Sequence, residues 1–351
     1  MDYREFVDQA AKEISRRLPE ELQGAVITTR EISKLQGESY YGLTVHPEHS
    51  NVGVSINPTG VYERMQFGMP YEDAMTELAR VVENGLSERP TIRAGQLTDY
   101  DFMKDKMMVQ VVPTAGNEEM LSGIPHVERE DMSLVYRMVV DSNEQGMASA
   151  LVTNTMLSSY GITAEQLHAD VMASAPEKFP ASVRSMNEVL SEIMGIEPEM
   201  MPDEPAGMYV ATCNHGINGA GCMFYPGFMD QAAEKLGGDF FVLPSSVHEV
   251  ILLPDKGEMT VRELETMVQE INQAEVQPAD RLSDSVYHYD AKERLFEKGD
   301  RFEERQKEKK AEKSRPKEKE SLMQKLDAKK KEAQVLDGGK KIPHKAKGQE
   351  L

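Results

Sequence analysis

"FFVLPSSVHEVILLP", residues 240–254, is the most apolar stretch of the chain, yet it carries His248 and Glu249 near its middle. Its reading decides the fold. Short apolar runs rich in β-branched and aromatic residues, bounded by turn formers, read as strands. "DFFVL" and "VHEVILL" are then two strands, or one strand and its continuation, meeting at "PSS". Alternate residues of a strand share a face, so Val247, Glu249 and Ile251 oppose His248, Val250 and Leu252. Ser245 and His248 would meet at a strand end. A nucleophilic serine needs a base within hydrogen-bond reach, and that base needs its own acceptor. "PSSVHE" has no G-x-S-x-G elbow and no glycine to bare an oxyanion site. A structural turn is the favoured reading, with Ser245, His248 and Glu249 kept as candidate catalytic residues.

The strand "MYVATCN" precedes this stretch, and the two are expected to be sheet neighbours. Between them "CNHGINGAGCMFYPG", residues 213–227, follows a strand and opens a helix. Its Gly216, Gly219 and Gly221 are candidate cofactor-binding positions, because backbone N–H groups freed of side chains can converge on an anion. The match to G-x-G-x-x-G is partial and no Walker lysine is present. A tight loop is the preferred reading. Cys213 and His215 join the catalytic candidates, but two residues alone do not make a metal site. His46, Glu48 and His49 lie on an expected turn, where such groups usually face water. No metal and no cofactor is assigned.

The rest of the body alternates. Residues 2–18 have helical spacing, 25–33, 40–47 and 51–58 read as a strand meander, and 70–86 returns to helix. Strands are expected at 107–113, 132–141 and 147–153. Helices are expected across 153–161, from Thr163 with Gln166 as a capping box, across 182–195 ending on Gly195, and across 260–276. The fold class is therefore α+β: antiparallel or mixed sheets with helices packed on them, followed by a disordered or helical charged tail. Residues 1–195 form an N-terminal half and 208–290 a C-terminal half, with 196–207 as a Pro-rich, acidic linker. The two halves are compatible with one continuous domain. Residues 291–351 form the tail.

Charge marks that last boundary. The tail holds 20 Lys+Arg and 13 Asp+Glu, a net of +7; the whole chain has 40 and 60, leaving 20 and 47, a net of −27, in residues 1–290. An acidic body repels nucleic acid, whereas the basic tail is able to bind it by counterion release. Within the tail, "SLMQKL" sets Leu322, Met323 and Leu326 on one side of a short helix suited to a partner's groove. Apolar residues are otherwise too few there to offset ordering entropy. No window approaches the apolar length of a membrane span. Two cysteines and an N-terminus without a signal-peptide pattern point to the cytoplasm.

"DYREFVDQAAKEI" (2–14), "LTDYDFMKDKMMVQVV" (97–112), residues 208–255 and "ADRLSDSVYHYD" (279–290) together resemble a family of bacterial proteins from gut Firmicutes, domain of unknown function 5688. The resemblance implies no activity and carries over no functional residue. The Lys-rich ending "ESLMQKLDAKKKEA" is similar to tails of proteins encoded on integrative and conjugative elements, which implies a mobile-element setting. The sequence thus favours a non-enzymatic accessory or protein-binding protein with an unidentified protein partner. A hydrolase or transferase centred on Cys213/His215 and Ser245/His248 is the alternative, and nucleic-acid binding through 291–351 a third.

Overall fold

The computed structural model describes residues 1–33, 35, 39–48, 53–87, 94–143, 146–196, 207–213, 216–314, 326 and 328–330. Asp2 opens the chain with a capping box, its carboxylate accepting from the Glu5 N–H while Glu5 reaches back, and starts helix α1 (Tyr3–Glu13). Phe6, Val7 and Ala10 recur at helical spacing and are buried. They pack on an antiparallel meander of β1 (Val26–Ser33), β2 (Ser39–His46) and β3 (Val54–Ile56). Helices α2 (Thr59–Gln66) and α3 (Tyr71–Ser87) close this first core, with Met75, Leu78 and Val82 fully buried.

Two short helices, α4 (Ala94–Leu97) and α5 (Tyr100–Met103), lead into β4 (Met107–Pro113), whose residues 107–112 are all buried. After α6 (Glu118–Ser122), the strands β5 (His126–Arg129), β6 (Met132–Asn143) and β7 (Gly146–Leu151) complete a second antiparallel sheet. β4 takes one edge of the long β6, and β5 and β7 share the other end to end. Helices α7 (Asn154–Tyr160) and α8 (Ala164–Lys178) follow, capped by Thr153 and Thr163, and Leu167 and Val171 of α8 enter the core with β4.

The third sheet departs from expectation at its start. Residues 182–185, read as helix, belong to β8 (Ala181–Ser185), and α9 (Met186–Met194) begins only at Met186. Ser185 decides this: its hydroxyl accepts from the Glu188 N–H at 3.2 Å while the Glu188 carboxylate accepts from the Ser185 N–H at 2.8 Å. That capping box starts the helix there, and Gly195 ends it in the left-handed region at φ 67°.

β8 pairs with β9 (Tyr209–Cys213), so strands on either side of residues 196–207 are direct neighbours. A short 3₁₀ helix (Gly219–Phe224) and α10 (Phe228–Leu236) precede β10 (Phe240–Leu243), β11 (Val250–Pro254) and α11 (Val261–Ala274). The sheet ends on β12 (Tyr287–Asp290) and β13 (Leu295–Lys298), in the order β13-β12-β10-β11-β9-β8, with every pairing antiparallel. The expected pairing of β9 with β11 is present, Ala211 opposite Val250. This sheet runs on to Lys298, past the composition change at Ala291. One core spans Met103 to Tyr289 and joins residues of the second and third sheets. Chain contacts separate the body Met1–Gly299 from Asp300–Leu351, whose described part is mainly α12 (Gly299–Ser314) with its Glu303–Lys307 pair at 3.5 Å. No helix among the described residues is long and apolar enough to cross a membrane.

Candidate functional site

Residues 244–249 do not continue either strand. Backbone N–H groups of Leu282 and Ser283 donate to the carbonyls of Ser245 at 3.1 Å and Pro244 at 3.0 Å, and Val247 donates to the Asp280 carbonyl at 2.8 Å. A buried loop must satisfy its own backbone groups, and this one does so by pairing sideways with 280–283. His248 accordingly stands on a loop and not on a strand face.

The His248 ring is held from two directions. The Asn218 N–H donates to Nδ1 at 3.2 Å, and Nε2 faces Asp280 Oδ1 at 3.3 Å. An imidazole that accepts at Nδ1 and donates at Nε2 has no lone pair left for a serine proton. No hydrogen bond joins Ser245 to His248 among the described residues. Ser246, 5% exposed, instead accepts from the His248 N–H at 3.0 Å. Burial pushes the Glu249 carboxyl up, the Asp280 charge adds to this, and the His248 and Ser246 groups oppose it.

Cys213 ends β9, buried, with Sγ 3.6 Å from the Tyr225 hydroxyl. A hydrogen bond with the equally buried Cys222 lowers the Cys213 thiol and raises Cys222 well above its ordinary value. His215 lies outside the described residues. Gly216 adopts φ 84° with open space around it, while Gly219 and Gly221 are buried. A Cβ on Gly219 would meet the His248 carbonyl oxygen at 2.6 Å, and one on Gly221 would meet the Val109 carbonyl oxygen at 2.5 Å. These two glycines let the 3₁₀ helix press against β4 and β9. His49 is outside the described residues, and among those described no group of three or more His, Cys, Asp or Glu converges as for a metal.

The sequence reading missed a cleft of about 430 Å³ elsewhere in the body. Three segments form it: the β5–β6 turn, residues 223–230, and the β12–β13 hairpin. Its volume falls in the usual range for small-molecule sites. Met223, Phe224, Met229 and Phe296 supply apolar lining; Phe224 meets Phe296 edge-on at 5.7 Å, and Tyr287 stacks behind Phe296 at 5.1 Å. Asp230 accepts from the Tyr289 hydroxyl at 2.7 Å and pairs with Arg294 Nε at 3.2 Å. Burial and the Asp230 bond push the Tyr289 hydroxyl up to about 12.

Backbone strain gathers around these features. Among the described non-glycine residues with positive φ are Glu130 at 59° and Arg294 at 52°, which line the cleft, and Asn218 at 54°, which holds His248. Glu130 occupies the first position of the two-residue turn between Arg129 and Met132, a place that suits glycine. Arg294 closes the 291–294 turn, which Asp290 initiates by accepting from the Lys292 and Glu293 N–H groups at 3.1 and 2.9 Å. Each left-handed residue costs roughly 1–2 kcal/mol that glycine would avoid. The turns therefore present charged side chains to the cleft against local conformational preference. Pairing of "HVER" with "MSLV" across Glu130-Asp131 was the available sequence signal for one of them; charge composition concealed the other.

Fold and cleft together define an α+β protein of antiparallel sheets with a cleft of ligand size in its body. A family model described as a family of unknown function, DUF5688, matches residues 3–291, and the chain belongs to that family. No curated protein and no solved structure matches the chain.

Proposed function

We propose that this chain is a non-enzymatic binding protein whose ligand-facing surface is the cleft between the β5–β6 turn and the β12–β13 hairpin. One contrast carries the reading. The groups able to do chemistry hold loops together, as both His248 ring nitrogens do, whereas the cleft sets charged side chains on strained turns beside an apolar wall. Two readouts test it. Protein-observed NMR with a fragment set should give compounds whose binding shifts the resonances of Phe224 and Phe296. Fluorophosphonate and iodoacetamide probes should leave Ser245 and Cys213 without rapid stoichiometric labelling. Rapid labelling of the folded protein at either residue favours the hydrolase or transferase reading.

We infer a bacterial cytoplasmic setting, supported by two cysteines that are free and buried. The protein partner inferred from the tail is expected to engage Leu322, Met323 and Leu326. Leu326 is 52% exposed, and the other two lie outside the described residues. Changing Leu322 and Leu326 to Ser in the full chain should lower partner recovery. Nuclease-sensitive recovery that falls steeply with salt would instead identify nucleic acid as the partner.

A further inference from the structure

We propose that the cleft takes a small monocarboxylate with an aromatic body. The inference rests on the binding reading above and names the chemistry of that site. Arg129 and Arg294 both line it. Arg294 commits Nε to Asp230, and among the described residues no acceptor is recorded for its two Nη groups. Arg129 uses Nη1 on the Glu128 carbonyl at 3.1 Å, and no carboxylate pairs with it among the described residues. A guanidinium presents parallel donors that match a carboxylate in a bidentate bond.

Glu130 and Asp230 also line the cleft, so a ligand there meets two carboxyl groups as well as two guanidiniums. A dianion such as a phosphomonoester would meet both carboxylates without surplus positive charge. A single negative charge on a planar group fits better. The Phe224–Phe296 edge-to-face pair, both rings partly exposed, gives a flat ring a surface to pack on.

The test uses the full chain and calorimetric titration with indole-3-acetate, with indole-3-acetamide and acetate as controls. The acid should saturate with a Kd below about 1 mM, a modest demand for a ligand of its size. The amide should bind at least tenfold more weakly, and acetate should not saturate. Arg294→Gly and Arg129→Gln should each weaken the acid at least tenfold. Arg294 has φ 52°, so Arg294→Gly relieves backbone strain and its Tm should be unchanged or higher. That separates lost binding from lost folding. Equal binding of acid and amide would overturn the carboxylate assignment while leaving the cleft as a binding site. Unchanged acid affinity in both arginine variants would overturn the location. Failure of acid and amide to saturate at 10 mM would overturn the inference, and no cleft hit from the wider fragment set would overturn the binding reading with it.

Discussion

Lys298 Nζ lies 3.0 Å from Asp131 Oδ2, although 167 residues separate the two in the chain. The same carboxylate accepts from Ser285 Oγ at 3.2 Å and from the Tyr287 hydroxyl. Asp131 sits in the turn of the second sheet, and its three partners stand on or beside the outer strands of the third. This hub ties the β5–β6 turn to the open end of the β12–β13 hairpin, where Tyr287 pairs with Lys298.

Removing the hub should loosen both sheets. Burial alone would raise the Asp131 carboxyl, but the Tyr287 and Lys298 bonds outweigh it and hold the group below its ordinary value. Its contribution is complete above the unfolded carboxylate pKa, near 4, and is lost as pH falls through the lower folded value. With Asp131 38% exposed, solvent screening reduces the figure. Asp131→Asn should cost about 1–2 kcal/mol at pH 7, with a smaller difference below pH ~4. Chemical denaturation at both pH values measures it.

The two serines of the opening stretch should behave differently. Ser246 is buried and accepts from His248, so Ser246→Ala should cost about 1 kcal/mol. Ser245 is partly exposed and no side-chain hydrogen bond is recorded for it among the described residues. Ser245→Ala should stay within about 0.5 kcal/mol of the native protein. A reversed ranking in denaturant melts would contradict the loop as described.

Gly219 should not tolerate a methyl group. The Cβ of Gly219→Ala would come within 2.6 Å of the His248 carbonyl oxygen and 2.7 Å of the Cys213 nitrogen, both backbone atoms in paired segments. Overpacking of this kind costs about 1–3 kcal/mol. Gly216→Ala has open space and suffers only a left-handed backbone, roughly 1–2 kcal/mol. Thermal melts of the two variants, with near-UV dichroism to report packing, would compare a steric cost with a conformational one.

His168 makes stability depend on mild acid. Burial lowers its pKa, the Arg129 charge adds to this, and its Nδ1 lies 2.7 Å from the buried Tyr136 hydroxyl. A histidine depressed in the folded state binds more protons when unfolded, so stability falls as pH drops below about 6.5 towards the folded value. His168→Gln should shrink the Tm difference between pH 7.5 and pH 5.5. An undiminished difference would place that sensitivity on other groups.

Much of the architecture follows from local pattern. Helical spacing in 3–14 and 70–86, the Thr163 cap and the left-handed Gly195 are encoded within a few residues, where side-chain periodicity and capping act. The failures are local conflicts settled at longer range. "SVRS" has no strong alternation, and pairing with β9 draws it into a strand. "LFEK" sits in a charged run, yet pairing with β12 and stacking of Phe296 on Tyr287 make it the outer strand.

The α+β class, the Thr163 and Gly195 caps and the charge split are legible in the chain alone. These depend on periodicity, turn chemistry and composition, all read within a window of residues. It takes the packed fold to show that His248 spends both ring nitrogens on loops, that Asp131 holds Tyr287 and Lys298, and that Glu130 and Arg294 frame one cleft. Those relationships join groups 30 to 167 residues apart. They exist because burying the shared core brings the sheets together, and short-range pattern carries no information about which distant turns then meet.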